Sequence, residues 1–285
     1  MLDTLIQYSL DILGPYKGGL LNALVWGVSS GVGWGTYDQF KQVGILHVLV
    51  ASGANVVFLV EAVVNILAWT VGRKKSIVFG LIIGWGYALS VGFGPPLIRG
   101  VLFVTLRYLA ILLGRGFSWS RATLLVLLIS FMADSKLFFS DSMWLSVSAF
   151  VGIASFSEIY KLKGGIVVQE LAKGIWINAW VLPLVALKFG TISLVSPVLG
   201  AVSFWIFEPL VLLGAVAGLV YHFVPMVGLF VFHLADILLD CLIWFVRVFL
   251  GMPGSGVEIG FGLGVLCIWY SALLLIYLTI KNRSV

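Results

Sequence analysis

Charge is the scarcest thing in this sequence. Only 10% of its 285 residues are charged, against about a quarter in an ordinary soluble domain. With 61% hydrophobic residues and a mean hydropathy of +1.13, that scarcity excludes a soluble fold, which cannot hide so much apolar surface. Cysteine is nearly absent too. Cys241 and Cys267 both lie inside apolar runs, so they read as packing residues, and no Cys-pair zinc motif exists. Long polar connectors are missing, the longest being about ten residues, so no extramembrane domain is expected. There is no internal repeat and no low-complexity tract. His-Glu-x-x-His, a phosphate loop and a nucleophilic triad are all absent. The chain is therefore expected not to be an enzyme, to bind no metal and no cofactor, and not to drive transport by nucleotide hydrolysis. No positively charged start leads into a short apolar core with a small-residue cleavage site, so no removable signal peptide is expected.

What is present is a series of apolar runs near the ~20 residues that cross a ~30 Å hydrocarbon core. They are not the ten-residue alternating segments of a membrane barrel. The expected class is all-α: a polytopic α-helical membrane protein with roughly eight to ten membrane helices. These include broken or re-entrant helices and an amphipathic surface helix. Residues 1–13 alternate apolar and polar at helical spacing and are too short to span, so they are expected on the membrane surface. Gly14-Pro15 breaks them, and 20–30 reads as a re-entrant or tilted helix. Spans follow at about 45–71, 76–92, 95–113, 119–133, 142–157, 195–219, 226–250 and 260–280. Residues 166–187 read as a surface helix bending into the membrane near Pro183. One set of loops holds nine cations (Arg73, Lys74, Lys75, Arg115, Arg121, Lys161, Lys163, Lys281, Arg283), the alternate set three (Lys41, Lys136, Lys188). By the positive-inside rule the first set is expected to be cytoplasmic, which requires residues 166–187 to cross, and the opposite orientation stays open.

Polar groups inside these runs are the candidate functional residues, because they are costly at membrane depth and face a bundle interior or water. The stretch GILHVLVASGANV at 44–56 opens a run that carries His47, Ser52, Asn55, Glu61 and Asn65. On one continuous helix His47, Glu61 and Asn65 fall within about 40°. Gly53 marks a point where that helix can break and another backbone approach. Arg99 follows Gly94-Pro95-Pro96 near the start of a span. Its guanidinium can bind phosphate oxygens bidentately, snorkel to headgroups, or pair with a carboxylate such as Glu61. Arg107 reads as a packing or interface residue. In 226–250, His233, Asp236, Asp240 and Arg247 lie within about 60° on a wheel. That stripe reads either as a proton or cation path or as a salt-bridge network. Glu208, mid-span before Pro209, raises the same question.

Several of these stretches resemble the ComEC-type competence family, the membrane channel for DNA uptake in bacterial transformation. Its signature is roughly Gly-Leu-Ser-His-Leu-Leu-Ala-Ile-Ser-Gly-Leu-His-Val. His47 and Ser52-Gly53 match it, while Asn55 replaces its second histidine. LLNALVWG at 20–27 resembles the segment before the signature. GFGPPLIRGVLF at 92–103 resembles the family's Gly-Phe-Ser-Pro-Ser-x-x-Arg-Ala, with Arg99 on its arginine. DSKLFFSDSMWLSVSAFVGI at 134–153 resembles its Asp-Pro … Phe-Gln-Leu-Ser-Phe-x-Ala run, with Trp144 for the glutamine. LPLVALKFGTISLVSPVLG at 182–200 resembles its Pro-Leu-x-x-Tyr-His-Phe-Gly segment, with Lys188 where a histidine is usual.

The resemblance implies one transmembrane competence (channel) domain over 1–285, without the OB-like and metallo-β-lactamase-like domains of larger members. It implies a multi-pass protein of the cytoplasmic membrane that conducts single-stranded DNA. Its implied partners are single-stranded DNA, membrane lipids and separate nuclease, OB-like and ATP-driven motor proteins, with self-association into an oligomer also open. The channel-path candidates are His47, Ser52, Gly53, Asn55, Glu61 and Arg99; the stripe candidates are His233, Asp236, Asp240 and Arg247. Two other readings stay open on the residues alone: a proton- or ion-coupled transporter of a small solute, and a non-transporting membrane scaffold.

Overall fold

Gly14 divides the first helix. The run α1 (Leu2–Trp26) is interrupted there by φ 76°, ψ 170°, and Pro15 follows as the first residue of the second leg. Positive φ at Gly14 costs a glycine little, and proline is pre-set for a first helical position. The two legs fold back on each other. Asn22 Nδ2 donates to the Ile6 carbonyl at 3.0 Å, and a Cβ placed on Gly18 would lie 2.4 Å from the Ser9 carbonyl oxygen. In an unbroken helix those two pairs would stand about 24 and 13 Å apart. The N-terminal segment is therefore a helical hairpin, not a surface helix followed by a separate re-entrant one. Its second leg is core: Gly18 through Trp26 are all buried.

The structure is a computed structural model and describes residues 1–49, 52–133, 140–159, 166–258 and 262–283. Lys136, Lys161 and Lys163 of the loop charges lie outside the described residues. The chain forms two compact units. The first is Met1–Lys41, Ile45–Phe117 and Ser203–Val248; the second is Gln42–Gly44, Ser118–Val202 and Phe249–Val285.

In the first unit the hairpin is followed by α2 (Trp34–Gln42) and a 3-10 turn, Leu46–Leu49. Then come α3 (Gly53–Val71), α4 (Arg73–Val91) and α5 (Pro95–Leu112). The helix expected over 45–71 starts only at Gly53, so a continuous wheel does not relate His47 to Glu61 and Asn65. Asn65 itself is exposed. Gly72, at φ 82°, makes the connection between α3 and α4 in one residue. Arg73-Lys74-Lys75 consequently form the first turn of α4 rather than a loop. Most of α9 (Ser196–Phe223) and α10 (Pro225–Leu250) complete this unit.

The second unit holds α6 (Trp119–Ala133), α7 (Asp141–Ile159), α8 (Ile166–Phe189) and α11 (Leu263–Arg283). Residues 166–187, expected to bend from the surface into the membrane, form one continuous helix that contains Pro183. Lys188 at the end of α8 forms an ion pair with Asp141 at the start of α7. Trp269 Nε1 and Tyr270 Oη donate to the carbonyls of Ala179 and Trp180 at 2.9 and 2.8 Å. Two-residue strands, Thr191–Ile192 and Val257–Glu258, pair antiparallel. Lipid tails are as apolar as leucine, so close packing and such interhelical hydrogen bonds hold helices together where the hydrophobic effect cannot.

Six helical segments among the described residues are long and apolar enough to cross a membrane: Gly53–Val71, Pro95–Leu112, Leu171–Lys188, Trp205–Phe223, Pro225–Leu250 and Gly264–Asn282. Trp119–Ala133 is apolar but shorter. The molecule is an all-α polytopic membrane protein.

Candidate functional site

A helix end leaves its last four carbonyls without intrahelical partners. At the end of α1 the carbonyls of Asn22, Ala23, Leu24 and Val25 all accept hydrogen bonds from beyond the helix or from other helices. Gly27, left-handed at φ 71°, and Val28 donate their N–H groups to the carbonyls of Ala23 and Asn22 at 3.1 and 3.3 Å, an αL-type closure. The other two carbonyls are met from α3 and α4. Asn55 Nδ2 donates to the Leu24 carbonyl at 2.7 Å, and the Tyr87 hydroxyl donates to the Val25 carbonyl. The Asn55 amide also reaches Tyr87 Oη at 3.4 Å, and Ser52 Oγ donates to Asn55 Oδ1 at 3.1 Å. Asn55 is only 6% exposed. Its amide caps the hairpin's core leg from outside. An imidazole N–H is a donor of the same kind, which accounts physically for asparagine standing where the resembling family has histidine.

Ser52 is extended at φ −100°, ψ 161° and serves as the N-cap of α3. The next residue, Gly53, lies against α5. A Cβ there would be 2.7 Å from the Pro96 carbonyl oxygen, and one on Gly100 would be 2.5 Å from Gly53 Cα. Two glycines in register let the backbones touch. This contact joins the Ser52-Gly53 motif to the Arg99 motif, a connection absent from either stretch alone. Arg99, beside Gly100, is 2% exposed. Snorkelling to the headgroups is thereby excluded for it.

Glu61 is paired by Arg107, across α3 and α5. The carboxylate considered as a partner of Arg99 is thus taken by the arginine read as a packing residue. Their spacing explains it: α3 and α5 meet at Gly53 and Gly100, and Glu61 and Arg107 lie eight and seven residues further on, about two turns along each helix.

The stripe on α10 separates into parts. Asp236 and Asp240 both accept from Lys17 Nζ, at 2.7 and 2.9 Å, so the hairpin's second leg is anchored near its tip as well as at its end. His233 and Arg247 are exposed on the same helix. His47 falls on the Leu46–Leu49 turn, but its side chain lies outside the described residues. Glu208 is exposed on α9.

Three residues of this site were missed from the sequence: Lys17, Tyr87 and Gly100. Lys17 had a signal, being a lone cation between Gly14-Pro15 and a buried apolar run. Tyr87 and Gly100 had none, since each matters only through a partner far away in the chain. No group of three or more metal-ligating side chains occurs among the described residues. A groove of about 280 Å³ in the second unit, lined by residues such as Val265, Trp269 and Ile276, is wholly apolar and offers a polar cofactor nothing.

A bundle of apolar helices with caps, pairs and a buried arginine at these motifs defines a class. The family described as "Competence protein" matches residues 24–284, nearly the whole chain, and the protein belongs to that family. The resemblance read from five short stretches is thereby borne out. Among its relatives is the "Competence protein ComA" of Neisseria gonorrhoeae, 30% identical over 254 residues. That match covers 81% of this chain and 34% of the relative, so the chain spans about a third of that protein's length. No solved structure matches.

Proposed function

We propose that this chain forms the membrane passage for single-stranded DNA in natural transformation, within the cytoplasmic membrane. The observation that carries the reading is family membership over residues 24–284 in a protein whose motif residues Ser52, Gly53, Asn55 and Arg99 converge at one helix junction. In this reading the junction fixes the helices around the strand's path, and cations on the path replace part of the phosphates' lost hydration. The chain catalyses nothing itself. In this reading strand degradation, strand capture and the pulling force come from nuclease, OB-like and ATP-driven activities that work alongside this bundle.

The test is transformation of a deletion strain complemented with the wild-type gene or with Arg99→Ala. The expected result is loss of transformation in the deletion, rescue by wild type, and at least about tenfold less rescue by Arg99→Ala at equal membrane levels. Full transformation without the protein rejects the reading.

One observation favours a second reading, that of a non-transporting scaffold: Asn55, Glu61, Asp236 and Asp240 all have protein partners. A scaffold tolerates Arg99→Ala once its folded amount is matched to wild type, and a passage does not.

A further inference from the structure

Asp236 and Asp240 stand eleven and fifteen residues past Pro225 in a helix of 26 residues. They therefore lie about 17 and 23 Å along an axis of about 39 Å. Both are well inside a hydrocarbon core of about 30 Å. Yet the Asp240 side chain is 61% exposed, and those of Asp236 and Lys17 are 28% and 26% exposed. His233 and Arg247 are exposed on the same face, as are Ile237 and Trp244. A face with this many polar groups at mid-span does not meet acyl chains, because ionised side chains there are driven to protein or water.

The hairpin brings the cation. Each leg of α1 has about a dozen residues, about 18 Å, enough to enter a bilayer and not to cross it. Its tip, at Gly14-Pro15, has open space where a Cβ on Gly14 would sit. Lys17, three residues on, reaches α10 with an ammonium that carries one charge against two carboxylates. An ammonium is a compact, rotatable cation that exchanges partners without the fixed planar geometry of a guanidinium.

We infer that the His233–Arg247 face of α10 and the tip of the N-terminal hairpin line a water-filled crevice reaching mid-membrane, where Lys17 exchanges its carboxylate partners for a phosphodiester of a passing single strand. The crevice follows from the exposed charges alone; the choice of phosphodiester rests on the conduit reading. Exchange suits passage. The carboxylates compensate Lys17 when no strand is present and repel the phosphate once it has been held, and conduction requires sites that also release.

The experiment uses the full chain in lipid nanodiscs with Cys241→Ser and Cys267→Ser, carrying Ile237→Cys on the crevice face or Leu275→Cys on the exposed apolar face of α11. Ile237→Cys leaves Lys17 and both aspartates in place. A sulfonated, lipid-insoluble maleimide is the probe, with and without a thymidine oligonucleotide of about 20 nucleotides. The expected result is labelling at position 237 at least about tenfold faster than at 275. The oligonucleotide slows it, and the slowing fades as salt rises. Adding Lys17→Gln removes the slowing and keeps fast labelling, while Lys17→Arg keeps both. Labelling at 237 no faster than at 275 overturns the crevice. Fast labelling that the oligonucleotide leaves unchanged, or protection that survives Lys17→Gln, overturns the role of Lys17. A cell that transforms normally without the protein removes the conduit reading and leaves the labelling rates as they are.

Discussion

Asn55 shows how a single side chain in a membrane protein is tied to its place. Its amide satisfies a carbonyl that no water can reach, and a buried unsatisfied polar group costs about 1–3 kcal/mol. Asn55→Leu is expected to lower the stability of the detergent-solubilised protein by about that amount, and Asn55→His by less. Thermal unfolding followed by circular dichroism measures both. Equal losses would show that the Leu24 carbonyl bond carries no weight. That Asn55 is a candidate was legible in the sequence, because it is polar within an apolar run. Its partner was not, because the Leu24 carbonyl is a backbone atom and leaves no trace in residue identity. Arg99 was marked for the same reason, and its near-complete burial depends on packing that residue types do not encode. Glu61 shows the opposite limit. The sequence suggested Arg99 as its partner, and the register fixed by the Gly53–Gly100 contact gives it Arg107 instead.

At the scale of elements, glycine sets where helices turn and where they touch. Gly100→Val puts a branched side chain against the Gly53 backbone, where even a Cβ would be at 2.5 Å, so α3 and α5 have to separate. A cost of about 1–3 kcal/mol is expected, read as a lower yield of monodisperse protein. Gly33→Ala, at a glycine with open space around it, serves as the tolerated control. In the hairpin, Gly18→Val forces the legs apart at the Ser9 carbonyl, with the same expected consequence. The break at Gly14-Pro15 was readable because both residues are breakers. The fold-back of the two legs was not: a break shows where a helix ends and not in which direction the chain leaves. The Ser52-Gly53 interruption was readable for the same reason as Gly14-Pro15. The single-residue link at Gly72 was not, because three cations after an apolar run look like a loop, and only its φ of 82° lets them start the next helix.

At the scale of the whole molecule, the class was legible almost entirely from hydropathy, since a chain with 10% charged residues has one kind of solvent open to it. Helix positions followed from run lengths, and apart from the late start at Gly53 and the N-terminal hairpin the described helices fall close to the expected spans. The grouping into two units left no mark in the sequence, because segments far apart in the chain, Met1–Lys41 and Ser203–Val248, join the same unit. The positive-inside rule predicts that the end of the first unit that carries Arg73, Lys74, Lys75 and Arg115 faces the cytoplasm. A cysteine at position 74 is accordingly expected to be shielded from an impermeant thiol reagent in intact cells and labelled after permeabilisation. One at position 38 should be labelled in both, and the reverse pattern would invert the topology.

The function proposed above requires a strand of DNA to come into contact with the bundle. The most direct measurement places a photo-crosslinking amino acid at position 237 on α10, or at 275 on α11, in cells that are taking up labelled DNA. A covalent DNA adduct at 237 and none at 275 is the predicted outcome. No adduct at 237 in cells that are importing DNA, or equal adducts at both positions, would contradict it.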